Sequence, residues 1–349
     1  MHVKINLLFV FFLFSSAVFA QEYKDITPGT GVEIPGDFYF RDGYRVQWWY
    51  FTGNLFDETG REFGYELTFF VVNVQKRSYT SQFGVKRIYI SHFAISDIKE
   101  NRFLFSDQAD TDAYALAGAK SDSLKVWAGK NILEGDMREL HIQAADREKS
   151  LDLSLAPAKP LVLNGVNGYS RKSEESPQNA SLYFSCSRLE TRGTIKIGRD
   201  IFRVKGKTWF DREISSRGLS KDQKGWDWFA IQLDDNRELM LYLLRKKDGT
   251  IDRYSSGTFV YPDGRYRPLS KNDFGVAVLD HYRSKKSQAR YPSLWEITVP
   301  SENLKIRIIP SLQDQEVLAQ NTTGNYYWEG TCSVEGTAKG RAYVEMTGY

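Results

Sequence analysis

The sequence predicts an all-β protein built from two tandem antiparallel β-barrel domains, and three observations carry that expectation. Extended runs rich in β-branched and aromatic residues recur along the whole chain, turn formers separate them at the spacing of a meander, and long amphipathic helical stretches are scarce. Side chains branched at Cβ or carrying rings lose little by being extended and pack well on a pleated surface. Many short strands punctuated by turns make a sandwich or a barrel.

Taken in chain order, the first element is not part of the fold. Lys4 precedes an apolar run from Leu7 to Phe14, and Val18 and Ala20 supply small residues ahead of Gln21, the pattern of a cleavable secretory signal over residues 1–20. The mature chain is expected to be secreted or periplasmic and not to span a membrane, since no later run approaches the roughly 18 apolar residues of a spanning helix. Strands are expected at Val46–Leu55, Tyr65–Val72, Arg87–Ile95, Ala180–Ser185 and Leu239–Leu244, with a final hairpin from Tyr326 to Tyr349. Asp57-Glu58-Thr59-Gly60, Lys247-Asp248-Gly249 and Pro262-Asp263-Gly264 read as turns. Short helical turns are allowed at Asp107–Leu116 and Ser270–Phe274, and Lys172–Asn179 reads as a polar loop. A chain of 349 residues favours two cores over one. The Thr191-Arg192-Gly193 interruption suggests domains over residues 21–192 and 193–349.

Charge and cysteine content exclude several functions. With 47 Lys plus Arg against 44 Asp plus Glu, interspersed in sign, nothing argues for nucleic acid. Cys186 and Cys332 can form one bridge or stand as two buried thiols, and no Cys-x-x-Cys exists for thiol exchange. His92, His141 and His281 lack ligand-like spacing, so neither a metal nor a cofactor is expected. No Gly-x-Ser-x-Gly elbow is present.

The residues that could carry chemistry cluster in aromatic strands. In Trp209-Phe210-Asp211-Arg212-Glu213 the two-residue period puts Trp209, Asp211 and Glu213 on one face. Two carboxyls beside an indole can hold a proton upward in pH and serve as a general acid, or one can simply pair with Arg212 or Arg217. Trp226 and Trp228 share a face, with Asp227 on the other, where it either meets ligand or pairs with an arginine such as Arg212 or Arg217. Trp48 and Tyr50 point opposite to Trp49 and Phe51, so that strand must be covered on both sides. Glu66 and His92 are polar groups within apolar strands: Glu66 either faces the barrel interior as the first domain's ligand group or is an ordinary outward carboxylate, and His92 is expected to hydrogen-bond or to face a pocket. Tyr327 and Glu329 stand in the terminal hairpin, whose last strand is expected to close the second barrel.

These segments resemble a known family. Gln47–Gly53, His92–Asp97, Asn164–Lys172, Trp209–Glu213, Gly225–Phe229, Tyr327–Gly330 and Tyr343–Tyr349 together are similar to the AttH/CrtC-like family of tandem lipocalin-like proteins, which includes exported proteins labelled as secreted hydrolases and carotenoid 1,2-hydratases. The resemblance covers nearly the whole mature chain and implies two packed lipocalin-like domains. In the hydratase branch an acid protonates an isolated alkene, rings hold the cation and water adds; the matching acid here is Asp211, with Trp209, Trp226 and Trp228 as ring neighbours. The family motif commonly reads Trp-Phe-Asp-His-Glu, whereas this chain has Arg212, which cannot give up its proton at useful pH. Acid work then falls to Asp211 or Glu213.

The leading expectation is an exported protein that binds an apolar lipid, isoprenoid or steroid-like molecule, with an envelope ABC transport system as partner. Tyr169, Arg171 and the carboxylates would orient a polar end. The alternative is a cofactor-free hydratase or hydrolase using Asp211 as acid, with Glu213 or Asp227 assisting. A rigid interaction module with filled barrels is the third reading.

Overall fold

The computed structural model describes residues 23–74 and 85–349, so the expected signal segment lies outside the described residues. The first sheet takes β1 (Val46–Asp57), β2 (Glu62–Asn73), β3 (Arg87–Asp97), β4 (Arg102–Thr111), β5 (Ala117–Ala119), β6 (Leu124–Ala128) and β7 (Asn131–Gly135). It continues through β8 (Leu140–Ala145), β9 (Lys149–Pro157), β10 (Val162–Leu163), β11 (Tyr169–Arg171), β12 (Ala180–Ile197) and β13 (Asp200–Ser215). The second sheet holds β14 (Gln223–Leu233), β15 (Glu238–Lys246), β16 (Ser256–Val260), β17 (Tyr266–Ser270) and β18 (Gly275–Arg283). Its remaining strands are β19 (Arg290–Val299), β20 (Leu304–Pro310), β21 (Glu316–Leu318), β22 (Tyr326–Gly336) and β23 (Gly340–Thr347).

Local chemistry sets the turns. Asp57 Oδ1 accepts the backbone N–H of Thr59 at 2.8 Å and of Arg61 at 2.9 Å, while Gly60 takes φ +84°. Asp248 does the same for Thr250 at 2.9 Å, beside Gly249 at φ +87°. Such residues tolerate the left-handed region or satisfy the turn backbone themselves, and the hairpins follow. The helical allowance shrinks to single 3₁₀ turns at Ala113–Ala115 and Lys271–Asp273.

The first sheet runs β4-β3-β2-β1-β13-β12-β9-β8-β7-β6-β5, with β10 and β11 added on β12. Its end strand β4 comes back against β5 and β6, making a nearly closed barrel. The second runs β17-β16-β15-β14-β23-β22-β20-β19-β18, with β21 on β22, and is an open half-barrel rather than the second full barrel expected. The terminal strand β23 does not close an edge; it lies between β14 and β22 near the middle of that sheet. The expected division at residue 192 cuts through β12, and β13 still pairs with β1 and β12, so the change of sheet falls between Ser215 and Gln223. Thr191-Arg192-Gly193 interrupts nothing, because these residues keep their register with both β9 and β13.

Each sheet has one face on its own core. Trp49, Phe51, Phe63, Leu67, Phe69 and Phe210 fill the first barrel, and Phe229, Leu241, Trp295, Ile306, Trp328 and Val344 lie under the second sheet. A fully buried side chain of this size contributes about 1.5–3 kcal/mol. These interiors are packed with protein, and the alternate residues of the same strands face the other sheet. That second layer is where the aromatic and acidic residues singled out above meet.

Candidate functional site

The site lies between the two sheets, built by the period of two. On the first sheet, register aligns His92, Thr68, Tyr50, Asp211 and Ser185 in one row across β3, β2, β1, β13 and β12. Flanking rows carry Glu66, Thr52 and Trp209 on one side, and Phe70, Trp48, Glu213 and Tyr183 on the other. On the second sheet a row runs Tyr242, Trp228, Glu345 and Glu329 across β15, β14, β23 and β22. Tyr50, Tyr183, Trp209, Trp228, Met240 and Tyr242 form a separate buried apolar cluster there.

The two faces are held in register by polar contacts. Tyr50 donates to Glu329 Oε2 at 2.9 Å, Ser96 donates to Gln315 at 2.7 Å, and Thr331 bonds Asn54. Gly64 permits the approach, since a Cβ there would lie 2.6 Å from the Thr331 methyl carbon. Around the rim, Glu238 of the second sheet pairs with Lys159 at 2.7 Å and with Arg188.

Asp211 is held by three side-chain donors. Tyr183 donates to one oxygen at 2.5 Å, while Ser185 at 2.5 Å and the Trp209 indole at 2.7 Å donate to the other. The Trp228 indole donates to the Tyr183 oxygen at 3.1 Å, tying the second sheet into the same network. Burial raises the Asp211 pKa to about 7, more than the three donors lower it. The rings of Trp209 and Trp228 stand at 80°, and Tyr50 meets Trp228 edge-on at 5.2 Å. A protonated carboxyl beside ring faces is equipped to give a proton and to stabilise a cation.

A second group of acids lies alongside. Glu66 and Glu329 are fully enclosed, and burial pushes both carboxyls upward; Glu345, partly enclosed, is raised by burial and by Glu213 and Asp211. His92 sits 2.7 Å from the Tyr327 hydroxyl and stacks on that ring, with burial holding its imidazole well below the ordinary range.

Glu213, Trp48 and Trp226 are partly exposed and mark the solvent side of the layer. Lys172 lies there, 3.5 Å from Glu213 and over the rings of Tyr183 and Tyr242.

Thus Asp211, Glu213, Trp48, Tyr50, Glu66, His92, Trp209, Trp226, Trp228, Tyr327 and Glu329 share one inter-sheet layer. Other expectations are corrected. Asp227 points into the second sheet's own core face, where Arg245 binds it at 3.0 Å and Tyr349 donates at 2.8 Å, so its partner is neither Arg212 nor Arg217. Arg212 faces the first barrel and donates to the carbonyls of Asp37, Tyr39, Trp48 and Glu213, and Arg217 pairs with Asp25; among the described contacts neither binds the carboxyl group of Asp211 or Glu213. The histidine-to-arginine departure therefore stands on the face opposite the acids. Tyr169 donates to the Pro177 carbonyl, and Arg171 donates to those of Ser173 and Glu174 and lies over the ring of Tyr254 at the edge of the inter-sheet cluster, so these polar groups are engaged by the protein itself. Cys186 and Cys332 are free thiols in separate cores, so no bridge forms.

Sequence reasoning missed Tyr183, Ser185 and Lys172 as partners of the acids. Alternation shows that Tyr183 and Ser185 share a face, and that Tyr343 and Glu345 do, but not which strand lies opposite them.

A family model described as AttH-like matches residues 25–349. Comparison with curated protein sequences yields no match. Among solved structures, the chain is similar to a crystal structure described as an AttH from Nitrosomonas europaea, at 29% identity over 93% of this chain and 99% of that one, with TM-score 0.85. It shares its fold with kievitone hydratase from Nectria haematococca, at 13% identity over 94% and 96% of the two chains, with TM-score 0.71. It also shares it with CghA solved with Sch210972, at 11% identity over 94% and 96%, with TM-score 0.55.

Proposed function

The chain belongs to the AttH-like family, and from that premise we propose that it is a cofactor-free acid catalyst that hydrates an apolar, isoprenoid-like substrate held between its sheets. The observation that carries this reading is Asp211, a buried carboxyl with its pKa raised to about 7 and set among Tyr183, Trp209 and Trp228. A pure carrier needs rings and aliphatic surface, and gains nothing from an acid kept protonated near neutrality. One solved protein of the same fold is a hydratase by name, which favours catalysis over carriage alone.

In the proposed reaction Asp211 transfers its proton to one alkene carbon, leaving a carboxylate and a carbocation on the other carbon. The faces of Trp209 and Trp228, with Tyr50 beside them, hold the cation. Water attacks through its oxygen, and the proton it sheds returns to the Asp211 carboxylate, so the enzyme is restored and one water is consumed. Glu213, on the solvent side and one position along the same face, is placed to pass water or protons inward. In the same reading both sheets are lipocalin-like barrels, the second one open, and the segment over residues 1–20 sends the protein to the periplasm or the exterior.

The test is incubation of the purified protein with a panel of isoprenoid polyenes in ¹⁸O-labelled water, followed by mass spectrometry. Labelled hydroxyl in the product, lost in Asp211→Asn while polyene binding persists, supports the reading. Binding without turnover in the unaltered protein reduces it to a carrier.

A further inference from the structure

Among the described residues, four buried side chains in the inter-sheet layer carry polar atoms that meet no hydrogen-bond partner: Thr52 Oγ1, Glu66 Oε2, Glu329 Oε1 and the Tyr343 hydroxyl. Topology brings them together. Thr52 and Glu66 are directly opposite on β1 and β2, and Tyr343 is opposite Thr331, two positions from Glu329 on β22. On β1, Thr52 lies between Tyr50 and Asn54 on one face, and these neighbours bond Glu329 and Thr331 respectively. Thr52 therefore faces the stretch of the second sheet that carries Tyr343. Buried polar atoms are rarely left without a partner from the protein or a bound molecule, and four on facing strands mark a place where a polar group of a guest can be received.

We propose that Thr52, Glu66, Glu329 and Tyr343 form a polar subsite that takes a hydroxyl group carried by the apolar substrate, remote from the carbon that Asp211 protonates. This rests on the reading above that an apolar molecule lies between the sheets. A hydroxyl fits because it both donates and accepts: its single proton goes to one of the two carboxyl groups, and the Thr52 and Tyr343 hydroxyls can donate to its oxygen. A neutral group fits better than an ammonium, because burial raises both carboxyls, with Glu345 adding to the rise at Glu66 and Glu66 and Glu345 to that at Glu329, so both hold their protons more readily than ordinary carboxyls. Asp211 aligns with Tyr50 and then Thr68, and Glu66 is two residues further along β2. Strand spacing and rise put Glu66 roughly 12 Å from Asp211, and Thr52 roughly 8 Å. The substrate class is thus an isoprenoid alcohol whose hydroxyl lies about that far from the reacting double bond.

Farnesol, farnesene and farnesylamine serve as probes, titrated into the mature protein with tryptophan fluorescence as readout, since Trp209 and Trp228 line the layer. Farnesol is expected to bind about tenfold more tightly than farnesene, the scale of one net hydrogen bond. The double variant Thr52→Val with Tyr343→Phe should lose that advantage, keep farnesene affinity, and melt no lower than the unaltered protein, because each change removes an unpartnered hydroxyl. Equal binding of farnesol and farnesene by the unaltered protein overturns the subsite while leaving the apolar site standing. So does full farnesol affinity in the double variant. Tightest binding of farnesylamine overturns it in favour of a cation site, and failure of all three probes to bind overturns it together with the reading it rests on.

Discussion

Glu329 and Glu345 stand directly opposite one another on adjacent antiparallel strands, both turned into the layer between the sheets. Like charges so placed destabilise a sheet, and Glu66 and Asp211 add further carboxyls to the same layer. Such a layer is stable when it holds protons.

Stability should therefore fall with rising pH near neutrality. Asp211 releases its proton near 3.8 when exposed and near about 7 when folded, so the folded state binds the extra proton between those values. Where the folded state binds more protons, stability declines as pH rises. Glu66, Glu329 and Glu345 shift in the same direction. His92 opposes them, its value being lowered from 6.5 to about 4, but that contribution is complete above pH 6.5. Melting measured at pH 7.5 and pH 8.5 reads chiefly the acids: the melting temperature should be lower at pH 8.5, and Glu66→Gln should reduce the difference.

Tyr183→Phe should shift the pH profile of turnover. Tyr183 is one of three donors that lower the Asp211 pKa against burial, so its loss leaves the acid protonated to higher pH and moves the alkaline limb upward. The same change strips the Trp228 indole of its acceptor and should destabilise by about 1–3 kcal/mol. A pH–rate profile and a denaturant titration check the two effects separately.

Asp227→Asn should act on stability rather than chemistry. The Asp227–Arg245 pair is nearly enclosed, with side-chain exposures of 5% and 15%, and removing one partner of such a pair costs about 2–3 kcal/mol, toward the lower end for a site still touching solvent. Turnover per folded molecule should be unchanged, because Asp227 faces away from Asp211.

Reducing agent should leave the melting temperature unaltered. Cys186 and Cys332 are buried free thiols, and burial raises the Cys186 thiol to about 12. Thiol titration of the unfolded protein should count two reactive groups with or without prior reduction.

Much of the site was legible in the sequence because the β period is local. Trp209, Asp211 and Glu213 had to share a face, and Trp48 and Tyr50 had to oppose Trp49 and Phe51, whatever the topology. What lay beyond reach was the identity of the two faces. Alternation cannot say whether a ring-lined face closes on itself or meets a second sheet, and here the interiors are filled while the neighbouring faces carry the acids. Partners from distant strands, such as Tyr183 for Asp211 and Arg245 for Asp227, depend on register that long-range pairing sets. Glu66 was read as facing either a barrel interior or solvent; the structure gives a third environment, enclosed between the sheets.

The claim on which the rest depends is that the guest lies between the sheets rather than inside either barrel, and photolabelling tests it most directly. A diazirine-bearing farnesol analogue, irradiated with the mature protein and mapped at residue level by mass spectrometry, should mark Tyr50, Trp209 or Trp228. Labelling confined to Trp49, Phe51 or Trp295, on the opposite faces of those strands or under the second sheet, would contradict it.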